Sequence, residues 1–488
     1  MKFLATALAL AASPALADIN PEELLESWHK AFDRVQIDLT IGSQAFEGDI
    51  LVLRDVQLTK RNPLSRTPPS IDWVRLLPLP GGAVSIALSS TENTAQPHYD
   101  GLDITATGSP EKITYYLNAG MFSFDQQHKS TPIITDTALA VTDLSLFYSQ
   151  WEDATGHFRS EGQFSAGSVV FEWSETIDLA GDPTDGNVIQ RGKLSLTELS
   201  MPFDMTAPAE YFTDLSRAVQ GLPEGLTMDM QLLATQAALQ INGGDLDPDF
   251  TLDISMSDSE TTINIGNTNL HYLFDFSQIA VASHSPLHPN QLLTLGMDQL
   301  FLDLSMPFRK SAVAAPFALA TRLENLEMAP AAWDIFDPNS VMARVPASLD
   351  LHVSGEATLL VDLFTNPEKV NARSGSPIQL HSLSLDRLDI RAENAMLTGE
   401  GRVDIDNNTM DKITGQPEAT GSLNFAITGA LALLDRVGSL PNMDPMMALG
   451  AKGALGMFAT PTTEADSFTS RVDFTNGGHI SVNGQQVK

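Results

Sequence analysis

The chain reads as a mainly β protein: large antiparallel sheets, curved or sandwiched, with an N-terminal helix and a few short helices. Apolar and polar residues alternate with a period of two along most of its 488 residues. Turn-forming dipeptides punctuate those runs, and helical periods are few, the most convincing one near the start.

The helical segment comes first. Asn20 is placed to cap it, Pro21 suits a first turn that needs no N–H, and Glu22 and Glu23 face the positive end of the helix. Leu24, Trp28, Phe32 and Val35 follow at helical spacing and form one apolar stripe, which is expected to dock on the first sheet.

From Val35 the period becomes two. Val35, Ile37, Leu39 and Ile41 alternate with polar residues or glycine, as in a strand with one dry and one wet face. Leu226–Met230, Phe250–Met256, Leu349–Val353 and Leu423–Ile427 repeat the pattern. One-sided alternation favours antiparallel sheets, because parallel strands covered on both faces read as unbroken apolar runs. Turns are expected at Gly181-Asp182-Pro183, Asn242-Gly243-Gly244 and Asn483-Gly484.

Helices are expected again at Ala207–Leu222, at Ala329–Phe336, and as a pair within Gly429–Phe458 divided near Pro441–Pro445. The proline-rich stretch Arg61–Gly82 reads as a loop or strand-edge excursion. Leu199-Ser200-Met201-Pro202-Phe203 recurs as Leu304-Ser305-Met306-Pro307-Phe308, each read as the end of an alternating strand; this is either a duplicated β unit or a recurring strand corner. The division expected is a signal peptide over 1–17, a β-rich region over 18–225, and a second over 226–488 containing the helical segment 429–458.

Met1–Ala17 has the anatomy of a secretory signal: Lys2, an apolar run from Phe3 to Ala12, and the small-residue site Ala15-Leu16-Ala17. Cleavage after Ala17 and a periplasmic location are therefore expected. The apolar run is too short to cross a bilayer, and the most apolar later stretch, Met446–Thr460, is broken by Lys452 and three glycines. The mature chain is thus not expected to be integral to the membrane. A transmembrane β-barrel is disfavoured by the non-aromatic ending Val487-Lys488 and by the lack of clear aromatic girdles. With 61 acidic and 28 basic residues the formal charge is −33, a field that repels nucleic acid. The acidity is read mainly as a source of solubility.

No cofactor, metal or catalytic group is assigned. The chain has no cysteine, no Gly-x-Ser-x-Gly elbow and no zincin helix. His284 and His288 are separated by Pro286, which breaks the helix a ligand pair would need. Asp245, Asp247 and Asp249 resemble the opening of a calcium loop, but Phe250 stands where a glycine belongs and Met256 where a bidentate acid belongs. Asp404, Asp406 and Asn408 fail in the same way and read as an acidic turn. Gly450, Gly453 and Gly456 do not have dinucleotide-loop spacing and read as close helix packing.

Two sets of residues remain as candidates for binding. Tyr272, Phe274 and Phe276 share one face of a strand, as do Met228 and Met230 on another; such surfaces suit a hydrophobic or lipidic ligand, and equally a protein core. Phe122 and Phe124 share a third strand, and Met443, Met446, Met447 and Met457 crowd the late helical region. Arg54, Lys60, Arg61 and Arg66 form a basic island, read as a solvated loop or as a docking point for an envelope protein or an anionic headgroup.

The segments Ala332–Pro338, Leu349–Gly355, Leu397–Gly401 and Gly478–Gln485 resemble a family of exported α-proteobacterial proteins catalogued as a domain of unknown function. The likeness extends over nearly the whole mature chain and rests on turns and strand corners. The repeated leucine-alternating strands and the closing Asn483-Gly484 hairpin more loosely resemble AsmA-like envelope proteins. That second resemblance implies a long β groove and a link to lipid traffic or outer-membrane homeostasis, whereas a cleavable signal in place of a retained anchor departs from it. The expected function is a non-enzymatic envelope protein binding a hydrophobic or lipidic ligand along an apolar β face. The alternatives are an envelope scaffold, or a hydrolase whose acid and base meet only in space.

Overall fold

The computed structural model describes residues 19–34, 37–60, 70–89, 98–130, 132–177, 187–208, 222, 224–245, 250–285, 291–364, 376–410, 415–441 and 443–487. The expected signal peptide, the turn at Gly181, Arg61, Arg66, and all but Ala207, Pro208 and Leu222 of the helix expected at Ala207–Leu222 lie outside these residues. Ala207 and Pro208 themselves end a strand.

One open antiparallel sheet of 23 strands contains all the described β structure. Of the two arrangements expected, curved or sandwiched, the chain forms a single continuous sheet. Its opening part comprises β1 (Ile37–Glu47), β2 (Ile50–Lys60), β3 (Ser70–Leu79), β4 (Ala83–Leu88), β5 (His98–Asp100) and β6 (Asp103–Ser109). Long strands follow: β7 (Lys112–Ser130), β8 (Ile133–Glu152), β9 (His157–Ile177), β10 (Asn187–Pro208), β11 (Thr227–Gly243), β12 (Thr251–Ile265) and β13 (Asn269–His284). Then come β14 (Leu293–Pro307), β15 (Ala315–Met328), β16 (Ala347–Leu359), β17 (Ile378–Ala392), β18 (Ala395–Met410) and β19 (Pro417–Thr428). The short strands β20 (Thr460–Pro461), β21 (Ser467–Thr475), β22 (His479–Val482) and β23 (Gln485–Gln486) finish it. From β6 to β19 every strand pairs with its neighbour in sequence. The ladder is unbroken across residue 225, β10 pairing with β11 from Gln190↔Gly243 to Thr206↔Thr227.

Helix α1 (Pro21–Arg34) forms as its sequence dictates. Asn20 and Glu23 cap it reciprocally: the Glu23 amide donates to Asn20 Oδ1 at 2.9 Å and the Asn20 amide to Glu23 Oε2 at 3.1 Å. Its Leu24 is fully buried against Leu53, Leu76 and Val84 of the first sheet strands, and Trp28 Nε1 donates to Tyr115 Oη at 3.1 Å. Burial of that phenol raises the Tyr115 pKa above its ordinary value.

Three more helices follow among the described residues. The helix expected at Ala329–Phe336 is a single turn, α2 (Pro330–Trp333), because Asp337 takes over the chain beyond it: its fully buried carboxylate accepts the Val341 and Met342 amides, each at 2.9 Å. The expected pair is α3 (Ala430–Val437) and α4 (Pro445–Phe458), with Asp444 capping α4 through the Met446 amide at 2.9 Å. Part of the expected loop Arg61–Gly82 is instead the regular strand β3, whose Pro78 lies past the end of β2 where no partner on that side needs its missing N–H. Leu199–Phe203 lies within β10, not at its end, whereas Leu304–Phe308 runs off the end of β14, so the echoed segments occupy different positions in the sheet.

A seam crosses the long strands. Asp143, Glu198, Asp258, Gln278 and Asn325 all adopt left-handed backbone, with φ between 49° and 52°. The apolar alternation slips by one at this line: Val141 to Leu144, Leu196 to Leu199, Phe276 to Ile279 and Leu323 to Leu326 are spaced by three. The ladder shifts register at the line between β12 and β13 and between β15 and β16, whereas through Asp143 and Glu198 the neighbouring strands step together and keep one register. The slip keeps apolar side chains on one face on both sides of the seam. Core packing shows this directly, since Val141 and Leu196 from one side join Leu144 and Leu199 from the other in a single cluster. The seam is held by polar contacts: Asp298 accepts from Asn325 Nδ2 at 2.7 Å and from Gln278 Nε2 at 3.4 Å, and Gly167 leaves room for Asp143, whose Oδ2 would stand 2.8 Å from any added Cβ.

Candidate functional site

Residues directly opposite in an antiparallel ladder share a face, so the registers can be followed from strand to strand. One line starts at Leu51 and passes through Leu76, Ile86, Ile104, Leu117 and Leu146 to Phe164 and Met201. The parallel line beside it runs from Tyr115 through Tyr148, Gly162, Phe203, Met230, Ile263 and Tyr272 to Leu304. It continues through Leu319, Val353, Leu385, Gly401 and Leu423 to Val472 and Val482. Every position is apolar, aromatic or glycine. At about 4.8 Å per strand step, this apolar face extends for roughly 85 Å along the sheet.

The two faces differ in chemistry. On the opposite face His271 Nε2 and Asp303 Oδ1 lie 2.9 Å apart, Asp350 is held at 2.9 Å by both His352 and Arg387, and Arg391 reaches Asp389 at 2.8 Å. A pocket of about 600 Å³ on that face is lined by charges of both signs, among them Arg387, Asp389, Glu400 and Arg471. Of the carboxylates there, Asp389 is engaged in an ion pair with Arg391.

The candidates Tyr272, Phe274 and Phe276 do share a face. Tyr272 and Phe274 stack with centroids 6.2 Å apart and planes at 6°, and Phe276 follows at 6.3 Å. Met228 and Met230 join them on that face through Ile265 and Ile263, which pair with Met228 and Met230 on one side and with Leu270 and Tyr272 on the other. All five are half-buried. Phe122 and Phe124 lie on the same face beyond the seam, opposite Val141 and Leu139.

Coverage of the face is uneven. At the β1–β7 end α1 closes it, and Leu24, Leu53, Leu76 and Val84 are wholly inaccessible. Further along, Leu300 is 38% exposed, and Leu383 and Ile390 are each 37% exposed. At the β17–β19 end, α3 and α4 stand over Ile390, Leu397 and Ile427 and form with them an open apolar cavity of about 420 Å³, to which Leu434, Leu455 and Phe458 contribute. The face is therefore plugged at one end, half-open in its middle, and flanked by a helical hairpin at the other.

The basic island does not assemble as such among the described residues. Arg54 is exposed and paired with Glu47 at 3.1 Å across the β1–β2 hairpin; Lys60 ends β2; Arg61 and Arg66 lie outside the described residues. Asp404, Asp406 and Asn408, expected as an acidic turn, lie within β18, and the described acids of the two candidate loops accept backbone amides. Asp245 accepts the Val188 amide at 3.2 Å, while Asp247, Asp249 and His288 lie outside the described residues. Asp406 accepts the Asn408 amide at 2.9 Å, the bond that does most to hold its carboxyl below the ordinary range. No group of three metal-ligating side chains occurs among the described residues.

Sequence reasoning singled out seven residues of the face, Phe122 and Phe124 among them, and missed its extent. The signal that would have found it is the recurring three-residue step in otherwise alternating strands. No family model, curated protein or solved structure matches the chain.

Proposed function

We propose that this chain is a non-enzymatic envelope protein, exported to the periplasm by the signal-like segment Met1–Ala17, that binds a hydrophobic or lipidic ligand along its apolar sheet face. The observation that carries the reading is the unbroken apolar register from Tyr115 to Val482, half-open in its middle. An apolar face that belonged only to a core would be covered along its length, as it is beneath α1. Extended hydrocarbon suits this site: it is a long, mainly apolar track whose few hydroxyls, such as those of Thr261 and Thr321, are isolated among apolar neighbours. The ion pairs lie on the other face, so the track offers no convergent charged groups that would orient a compact polar ligand. The looser resemblance to AsmA-like proteins points the same way.

Native mass spectrometry of the protein released from its own envelope without detergent tests this reading. Wild type should carry lipid adducts, and Phe274→Asp should lose most of them while keeping its β-rich circular dichroism. A ligand-free wild type would defeat the proposal and leave the scaffold as the reading.

A further inference from the structure

Helix α4 is anomalous for this chain. It spans 14 residues, Pro445–Phe458, without an acidic residue, in a protein that has 61 of them. Its one charge, Lys452, is half-buried and neutralised by an ion pair with the exposed Asp435 of α3. Ala448 is its only buried residue and packs against Gly438 at the end of α3, where an added Cβ would stand 2.9 Å from that of Ala448. Leu455 and Phe458 face the cavity under the hairpin, and the other large apolar residues face out: Met446, Met447, Leu449 and Met457 are 61–70% exposed. A helix that is apolar all round belongs in a protein core or in hydrocarbon, and this one is not in a core.

We infer that the α3–α4 hairpin docks into one leaflet of a lipid bilayer. Length fits that occupant: 14 residues make a helix of about 21 Å, too short for a hydrocarbon core of about 30 Å but suited to lying in its interface. Charge fits it as well. The exposed surface of α4 offers no ionic group for a protein partner to recognise, while the acidic remainder of the chain repels anionic headgroups, so the favoured surface is zwitterionic. The methionines adapt their shape to disordered acyl chains. Position gives the docking a purpose. The inner side of the hairpin lines the 420 Å³ apolar cavity that continues the sheet face, so a docked hairpin sets the end of that face against the membrane. This loading role rests on the lipid-binding reading above; docking itself does not.

The test is flotation of the purified full chain with phosphatidylcholine vesicles, with and without added phosphatidylglycerol. Wild type should float with the neutral vesicles, and less with the anionic ones. The double variant Met447→Glu/Met457→Glu, altered only at exposed positions, should melt as wild type does and partition at least about tenfold more weakly. Phe274→Asp should float like wild type while losing bound lipid, which separates failure of docking from failure of the sheet-face reading. Wild type that stays at the bottom of the gradient, or a double variant that floats equally well, overturns the inference. So does a wild-type dimer that the double variant dissolves with no flotation, which would assign the surface to a second copy of the chain.

Discussion

Deleting Glu198 should do far more damage than any substitution of it. Glu198 is exposed and holds the left-handed seam position in β10, with φ of 50°. Without it every residue from Leu199 on moves up one place against β9 and β11, which still turn the ladder at this line, so Leu199, Met201, Phe203 and Met205 fall in polar-face places unless β10 slips along both neighbours. Leu199 is buried and the other three are half-buried. At about 2 kcal/mol for the leucine and about 1 kcal/mol for each of the others, the flip costs about 5 kcal/mol, comparable to the whole stability of many domains. Glu198→Gly should be neutral or stabilising by about 0.5 kcal/mol, because release of left-handed strain slightly exceeds the unfolded-state entropy of glycine. Glu198→Val should cost about 1 to 2 kcal/mol. Urea unfolding followed by the fluorescence of Trp173 in the adjoining strand β9 measures all three. A deletion variant with the wild-type midpoint would refute the seam argument.

Three further outcomes follow from the same geometry. Arg436 of α3 meets the carboxylate of Glu393, which is 5% exposed and also accepts the Ala343 amide, so Arg436→Met should cost about 3 kcal/mol and raise hydrogen exchange across residues 430–458; unchanged exchange there would contradict it. Asp337→Ala strips two backbone amides of a buried acceptor and should cost about 3 kcal/mol in a thermal melt, whereas a loss within error would show the loop to be held otherwise. Asp153 is held well below its ordinary pKa of 3.8, first by the Thr155 hydroxyl and then by the Thr155 amide. Its folded-state value is depressed, so its contribution is intact above pH 3.8 and is lost as pH falls through the folded value. Pepsin cleavage near the β8–β9 turn should therefore rise with acid in wild type and be insensitive to acid in Asp153→Asn; identical profiles would remove the carboxylate from the account.

Much of the fold is written locally. The Asn20 cap, the α3–α4 pair divided before Pro445 and the Asn483-Gly484 hairpin each follow from a few adjacent residues, and each forms as read. Period two likewise gives the antiparallel strands. What escaped was long-range or a departure from period. Pro78 argued against β3, yet it falls where β2 has already ended, a fact about a neighbour and not about the segment. The helix expected to reach Phe336 stops after Trp333 because Asp337 is buried and captures amides further along the chain. The apolar face was legible only in fragments, since joining Met230 to Tyr272 or Phe203 needs the register, and the register needs the seam. Aromatic and methionine residues marked the face, but whether such a face is covered is decided by other layers of the fold. The exposure of α4 was hidden for the same reason: its composition is that of a buried helix.

Site-specific photocrosslinking tests the central claim most directly. A photoreactive side chain placed in turn at Phe203, Tyr272 and Leu351 on the apolar face, and at Asp303 and Glu324 on the opposite face, is activated in intact cells, and the protein is then analysed for lipid adducts. Adducts at the first three positions and none at the last two are the expected result. Equal labelling of both faces, or none on either, would contradict a lipid-binding sheet face.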